Sequence, residues 1–201
     1  MGHGHGHAAG RAADRRRLRW ALTVTLVVLV VEVVGAVVTG SLALLADAGH
    51  MATDAGAVVL ALGASYVASL PATRRSTFGY HRAEILAALL NAVVLLGVCA
   101  YLAYAGISRL ADPVVVDAGP MIAFAVVGLL ANAVSLTILL RSDTGSLNMR
   151  AAAAEVGADL LGSVFAIAAG VVILVSGFQR ADALASLAIA ALIVPRAVLL
   201  L

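Results

Sequence analysis

The sequence predicts an all-α fold, a polytopic membrane protein built as a six-transmembrane-helix bundle. Three observations predict it. Hydrophobic residues make up 63% of the 201 residues and charged residues only 12%, and the mean hydropathy is +1.07, far from the balance of a soluble domain. Long apolar runs recur at a spacing that fits spans of roughly 20 residues across about 30 Å of hydrocarbon. The arginines gather in alternate loops, as they do when one side of a membrane holds the positive charge. At about 20 residues per span, 201 residues leave room for six or seven spans and no sizeable soluble domain.

Composition also excludes functions. All thirteen basic residues are arginine, the formal charge is only +2, and no basic face interleaved with aromatics is present, so nucleic acid is not a partner. Cys99 is the single cysteine, so no disulfide forms within the chain, and its apolar setting marks it as a small core residue.

Residues 1–19 read as a disordered cytoplasmic tail rich in His and Arg, followed by the transport domain over 20–201. The opening Met1-Gly-His-Gly-His-Gly-His7 differs from a contiguous purification tag, and His3, His5 and His7 are candidate low-affinity ligands for a divalent metal, since flexible imidazoles bind metal without a folded site. The first span runs from Trp20, placed as an interfacial anchor, to about Thr39. It is too long for the apolar core of a signal peptide. Glu32 is its one ionisable group and is expected to point into the bundle.

Gly40-Ser41 makes a tight turn, and a second span from Leu42 to Leu70 carries Asp47, His50 and Asp54. A loop over 71–80 holds Arg74 and Arg75, with His81, Arg82 and Glu84 at the mouth of the third span. That span reaches about Leu110 and contains Asn91. The fourth runs from about Pro120 to Leu140 with Asn132, the fifth from about Ala151 to Ser176 with Glu155 and Asp159, and a sixth starts at Ala183. Both asparagines read as interhelical hydrogen bonders. The tail holds five arginines, the second and fourth inter-span loops hold most of the rest, and the opposite loops hold Arg109 and Arg180. Both termini are therefore expected in the cytoplasm.

An ionisable side chain inside a span costs roughly 2.5–3.5 kcal/mol on insertion scales, and such groups mark ion paths or proton relays. His50 and Asp54 are four residues apart, as are Glu155 and Asp159, so each pair stacks on one helix face. Counting 1.5 Å per residue, Asp54 lies roughly 18 Å below the outer end of its span and Asp159 roughly 14 Å above the inner end of its own. In about 30 Å of hydrocarbon these depths nearly coincide. Four nitrogen and oxygen donors at one level suit tetrahedral Zn²⁺, with cobalt, cadmium, iron and manganese open alternatives. The competing reading is a set of interhelical hydrogen bonds, or a proton path for another substrate.

Ser41-Leu-Ala-Leu-Leu-Ala-Asp-Ala-Gly-His-Met-Ala-Thr-Asp-Ala55, Phe78-Gly-Tyr-His-Arg-Ala-Glu-Ile-Leu-Ala-Ala-Leu-Leu-Asn91 and Ser146-Leu-Asn-Met-Arg-Ala151 resemble the cation diffusion facilitator family in its bacterial zinc/cobalt/cadmium efflux branch. The resemblance covers essentially the whole chain. It implies an exporter in a bacterial inner membrane, working as a homodimer, that exchanges cytoplasmic Zn²⁺ (or Co²⁺, Cd²⁺, Fe²⁺) for H⁺ and holds no permanent cofactor. By position it implies His50, Asp54, Glu155 and Asp159 as the metal ligands; Asp47, on the same face, reads as a supporting or proton-path residue. Two departures stand out. Glu155 occupies a position where that branch has histidine, and the cytoplasmic metal-binding domain that normally follows is absent from these 201 residues.

Other functions are less well served by the residues. A proton-coupled exporter of organic cations would favour an aromatic-lined cavity, and aromatics are 4% of the chain. An intramembrane metalloenzyme would need a general base and an open coordination position, and neither His-Glu-x-x-His nor Gly-x-Ser-x-Gly occurs.

Overall fold

The computed structural model describes the backbone of residues 4–68, 82–141 and 147–199, with side chains over 16–141 and 147–195 except those at 65 and 67–84. Among the described residues there are six helices and no strand: α1 Gly4–Thr39, α2 Leu42–Ala68, α3 Arg82–Ala111, α4 Ala118–Leu140, α5 Leu147–Ser176 and α6 Arg180–Leu199. Four of them contain stretches long and apolar enough to cross a membrane: Arg16–Thr39, Ile85–Ala111, Ala118–Leu140 and Leu147–Ser176. In α2 the apolar run is interrupted by Asp47, His50 and Asp54.

The helix boundaries follow local chemistry. Gly40 (φ +71°) and Gly177 (φ +70°) adopt the left-handed conformation that ends α1 and α5, a place where a side chain would be strained. Their amides close the last turns on Ala36 O at 2.9 Å and Ile173 O at 2.8 Å. Ser41 caps α2, its hydroxyl accepting from Leu44 N–H at 3.2 Å. Helix α1 begins at Gly4, within the stretch read from the sequence as a tail. The alanines and arginines of that stretch are strong helix formers with no proline among them, so the helix propagates from the span into the tail.

The packing forms a closed circuit in which α1 meets α2, α2 meets α3, α3 meets α6, α6 meets α5, α5 meets α4, and α4 returns to α1. Helix α2 also touches α5 and α6 across the middle. Large apolar side chains such as Val37, Val175 and Ile107 point outward, while alanine, glycine and small polar residues fill the interior, the pattern of helices held together by close approach in lipid.

Five glycines carry the closest approaches. A Cβ at Gly35 would lie 2.7 Å from the Phe124 ring, and one at Gly106 or Gly170 would meet Leu187 at 2.8 Å or Ile122 at 2.6 Å. Gly128 and Gly162 face carboxylates instead. Gly35 and Gly162 thus let α1 approach α4 and α5 approach α2. Gly56, Gly63 and Gly157 have no atom within 4 Å of a Cβ position among the described residues, because their faces of α2 and α5 meet no neighbouring helix there.

One end of the bundle is tied by Asp182. Its Oδ1 accepts from Ser41 Oγ at 2.6 Å and Ala43 N–H at 3.1 Å, and its Oδ2 accepts from Leu42 N–H at 2.7 Å and Arg109 Nη1 at 3.4 Å. The same Arg109 nitrogen donates to Gly40 O at 2.6 Å, and Arg180 Nε donates to Leu110 O at 2.7 Å. A carboxylate at the amino end of α2 and guanidinium groups at the carboxyl ends of α1 and α3 match the helix dipoles.

Candidate metal-transport site

The site grows out of the α2 register. Asp47, His50 and Asp54 recur at three and four residues and so share one helical face. Asp47 and His50 are buried, and Asp54 is partly covered. His50 Nδ1 stands 3.4 Å from Asp54 Oδ2, and Thr53 Oγ1 donates to His50 O at 2.7 Å.

Helix α5 lies beside this face and runs the other way. The Asp47 carboxylate occupies the hollow at Gly162, where a Cβ would collide with it. Asp47, His50, Ala158 and Gly162 border one cavity of about 160 Å³, closed on its third side by Ile189, Leu192 and Ile193 of α6. Asp159 is buried, with Ser163 Oγ donating to its carbonyl at 3.2 Å, and Glu155 is half-buried one turn before it.

These positions bring His50 and Asp54 together directly, and they bring Asp47 against α5. Among the described residues no three His, Cys, Asp or Glu side chains stand close enough together to hold a metal ion. His3, His5, His7 and the His81, Arg82 and Glu84 side chains at the mouth of α3 lie outside the described side chains.

Sequence reasoning left Glu32 without partners, and it proves central. It is fully buried, its Oε1 lies 2.7 Å from a Cβ position at Gly128 of α4, and Ser163 Oγ borders the same point at 3.2 Å. Asp47 and Asp159 are its charged neighbours. Asn132, expected as an interhelical hydrogen bonder, is fully buried, yet neither its Nδ2 nor its Oδ1 has a partner among the described residues.

Residues 18–201 match the cation efflux transmembrane domain family. The chain belongs to the cation diffusion facilitator family. Within it, the chain sits on the branch of bacterial zinc, cobalt and cadmium efflux proteins. It is 42% identical over 184 residues to the metal cation efflux system protein CzcD of Cupriavidus metallidurans, covering 92% of this chain and 58% of that protein. It is 45% identical over 177 residues to the zinc transporter ZitB of Escherichia coli, covering 88% and 56%. A cadmium, cobalt and zinc/H(+)-K(+) antiporter of Bacillus subtilis is 40% identical over 167 residues, with 82% and 54% covered. The chain thus spans under three-fifths of the length of these curated relatives.

Proposed function

We propose that this cation diffusion facilitator exports divalent metal cations, Zn²⁺ foremost, from the bacterial cytoplasm across the plasma membrane in exchange for protons. The metal is cargo, held in passing by His50 and Asp54 of α2 and by Glu155 and Asp159 of α5. The observation that carries this reading is the seating of Asp47 on Gly162. On two antiparallel helices, one turn down α2 from Asp47 reaches His50 while one turn back along α5 from Gly162 reaches Asp159. A second turn reaches Asp54 and Glu155.

The chemistry follows from the donor set. Deprotonated carboxylates and neutral imidazole capture the ion, and protonation of the same groups weakens their hold on it. Rocking of α2 and α5 against their neighbours exposes the site to one side and then the other. Six spans with both termini cytoplasmic fit the arginine distribution, and the whole assembly is a homodimer. His3, His5 and His7 gather metal loosely at the cytoplasmic entrance.

The test is Zn²⁺ flux in proteoliposomes carrying a pH gradient. Flux that disappears in Asp54→Ala and Asp159→Ala supports export, whereas stoichiometric Zn²⁺ binding without flux overturns it.

A further inference from the structure

We propose that Asn132 of α4 is a positioning residue for the metal ligand Asp159, its side-chain amide donating to the Asp159 carboxylate when that carboxylate holds a cation. This inference rests on the exporter reading and deepens it at one ligand.

The packing register of α4 on α5 sets the two residues opposite each other. A Cβ at Gly170 of α5 would meet Ile122 of α4, with Ala118 O at 3.7 Å. Further along α4, a Cβ at Gly128 would meet Ser163 Oγ of α5 at 3.2 Å. Beyond that, Leu139 of α4 shares one apolar cluster with Val156 and Met149 of α5. Positions on α4 thus rise as those on α5 fall, and the two helices are antiparallel. One turn on from Gly128 is Asn132, and one turn back from Ser163 is Asp159. Both belong to the buried faces of their helices.

Asn132 is fully buried, and neither its Nδ2 nor its Oδ1 has a hydrogen-bond partner among the described residues. An amide so buried costs stability until a partner engages it. Helix α1 presents Val28 here, 3.6 Å from the same Gly128 position, and its side chain is apolar. Ser135, the next residue on the buried face of α4, has a hydroxyl that is not bonded to it. Asp159, facing from α5, offers a carboxylate, which is the acceptor a side-chain amide needs.

Metal binding supplies the occasion. A carboxylate that gives one oxygen to a cation presents the other to a hydrogen-bond donor, and such donors hold the ligand in orientation and raise metal affinity. An uncharged amide suits the task inside a span, since it donates without a positive charge that would repel the cation. The donor also stands on α4, outside the two ligand-bearing helices. It steadies Asp159 without occupying a coordination position.

The test compares the full wild-type chain with Asn132→Leu in detergent. Calorimetry measures Zn²⁺ affinity, the visible absorption of bound Co²⁺ reports ligand geometry, and thermal unfolding without metal reports the fold. Asn132→Leu is expected to lower Zn²⁺ affinity about tenfold or more and to alter the Co²⁺ bands. The metal-free variant is expected to unfold at the wild-type temperature or above, because an unpartnered amide has given way to an apolar group of similar size. Zn²⁺ affinity within about twofold of wild type overturns the proposal, being short of what loss of a ligand's supporting donor costs. A lowered metal-free melting temperature with unchanged Co²⁺ bands also overturns it, since that is the mark of an asparagine that only supports the fold. If Asn132→Leu does not yield monodisperse protein, Asn132→Ala takes its place under the same criteria on Zn²⁺ affinity and Co²⁺ bands. Wild-type protein that binds Zn²⁺ but moves none across proteoliposomes under a pH gradient removes the exporter reading, while the effect of Asn132 is still read from binding.

Discussion

Leu42 and Asp182 lie 140 residues apart in the chain and 2.7 Å apart in space, the amide of the one donating to the carboxylate of the other. A single acidic side chain thereby caps a helix to which it does not belong. Ser41, Ala43 and Arg109 complete its shell, so the buried charge is well matched.

Removing that carboxylate strands two α2 amides and leaves Arg109 with only the Gly40 carbonyl as its acceptor among the described residues. Asp182→Ala is expected to lower stability by about 3 kcal/mol, the scale of breaking a buried charged network. Thermal unfolding in detergent checks this, with Ser41→Ala as a milder comparison that removes one donor.

Gly162→Ala places a methyl group in the volume of the Asp47 carboxylate. A loss of about 1–3 kcal/mol is expected from the overpacking, together with reduced flux. Asp47→Ala should relieve the clash, so the double variant is expected to unfold at a higher temperature than Gly162→Ala alone. Strict additivity in that cycle would mean that the two positions are not in contact.

Bound Zn²⁺ is expected to stabilise the folded chain by about 2.7 kcal/mol at a hundredfold excess over its dissociation constant. A melting temperature raised by Zn²⁺, restored by chelator and unresponsive in Asp159→Ala, is the anticipated pattern. An equal rise in Asp159→Ala would exclude that residue from the ligand set.

In the proposed ligand set Glu155 leaves one histidine and three carboxylates, with a formal charge of −3 when fully ionised. Harder cations should compete better with Zn²⁺ here than at a site with two histidines. Glu155→His is expected to shift transport toward zinc, read as relative flux of Zn²⁺, Co²⁺, Cd²⁺ and Mn²⁺. Identical profiles for the two proteins would sink the idea.

Most of the helical plan was written in local chemistry. Gly40-Ser41 marked a turn because only glycine takes the left-handed conformation without strain, and four of the apolar stretches are long enough to cross a membrane. Asp47, His50 and Asp54 stood out as a candidate site because charge in such a stretch is expensive. What stayed hidden depended on pairs remote in sequence. Asp182 reads as an ordinary first-turn acid of its own helix, and nothing local says that it caps α2 instead. Glu32 was legible as an inward charge, but the slot at Gly128 that receives it exists only once α1 and α4 are packed. Asn132 misled because an asparagine in a span usually has a polar partner, and here neither amide atom has one among the described residues.

The knot at Asp182 also makes α2 a lever with one fixed end. At 1.5 Å per residue, His50 lies about 12 Å and Asp54 about 18 Å from Leu42. A tilt of about 10° about that fulcrum sweeps the first through roughly 2 Å and the second through roughly 3 Å on the same rise per residue. The two side chains thus travel unequal arcs, and a small swing changes their separation from α5 while leaving the helix that carries them, and the 3.4 Å between them, intact.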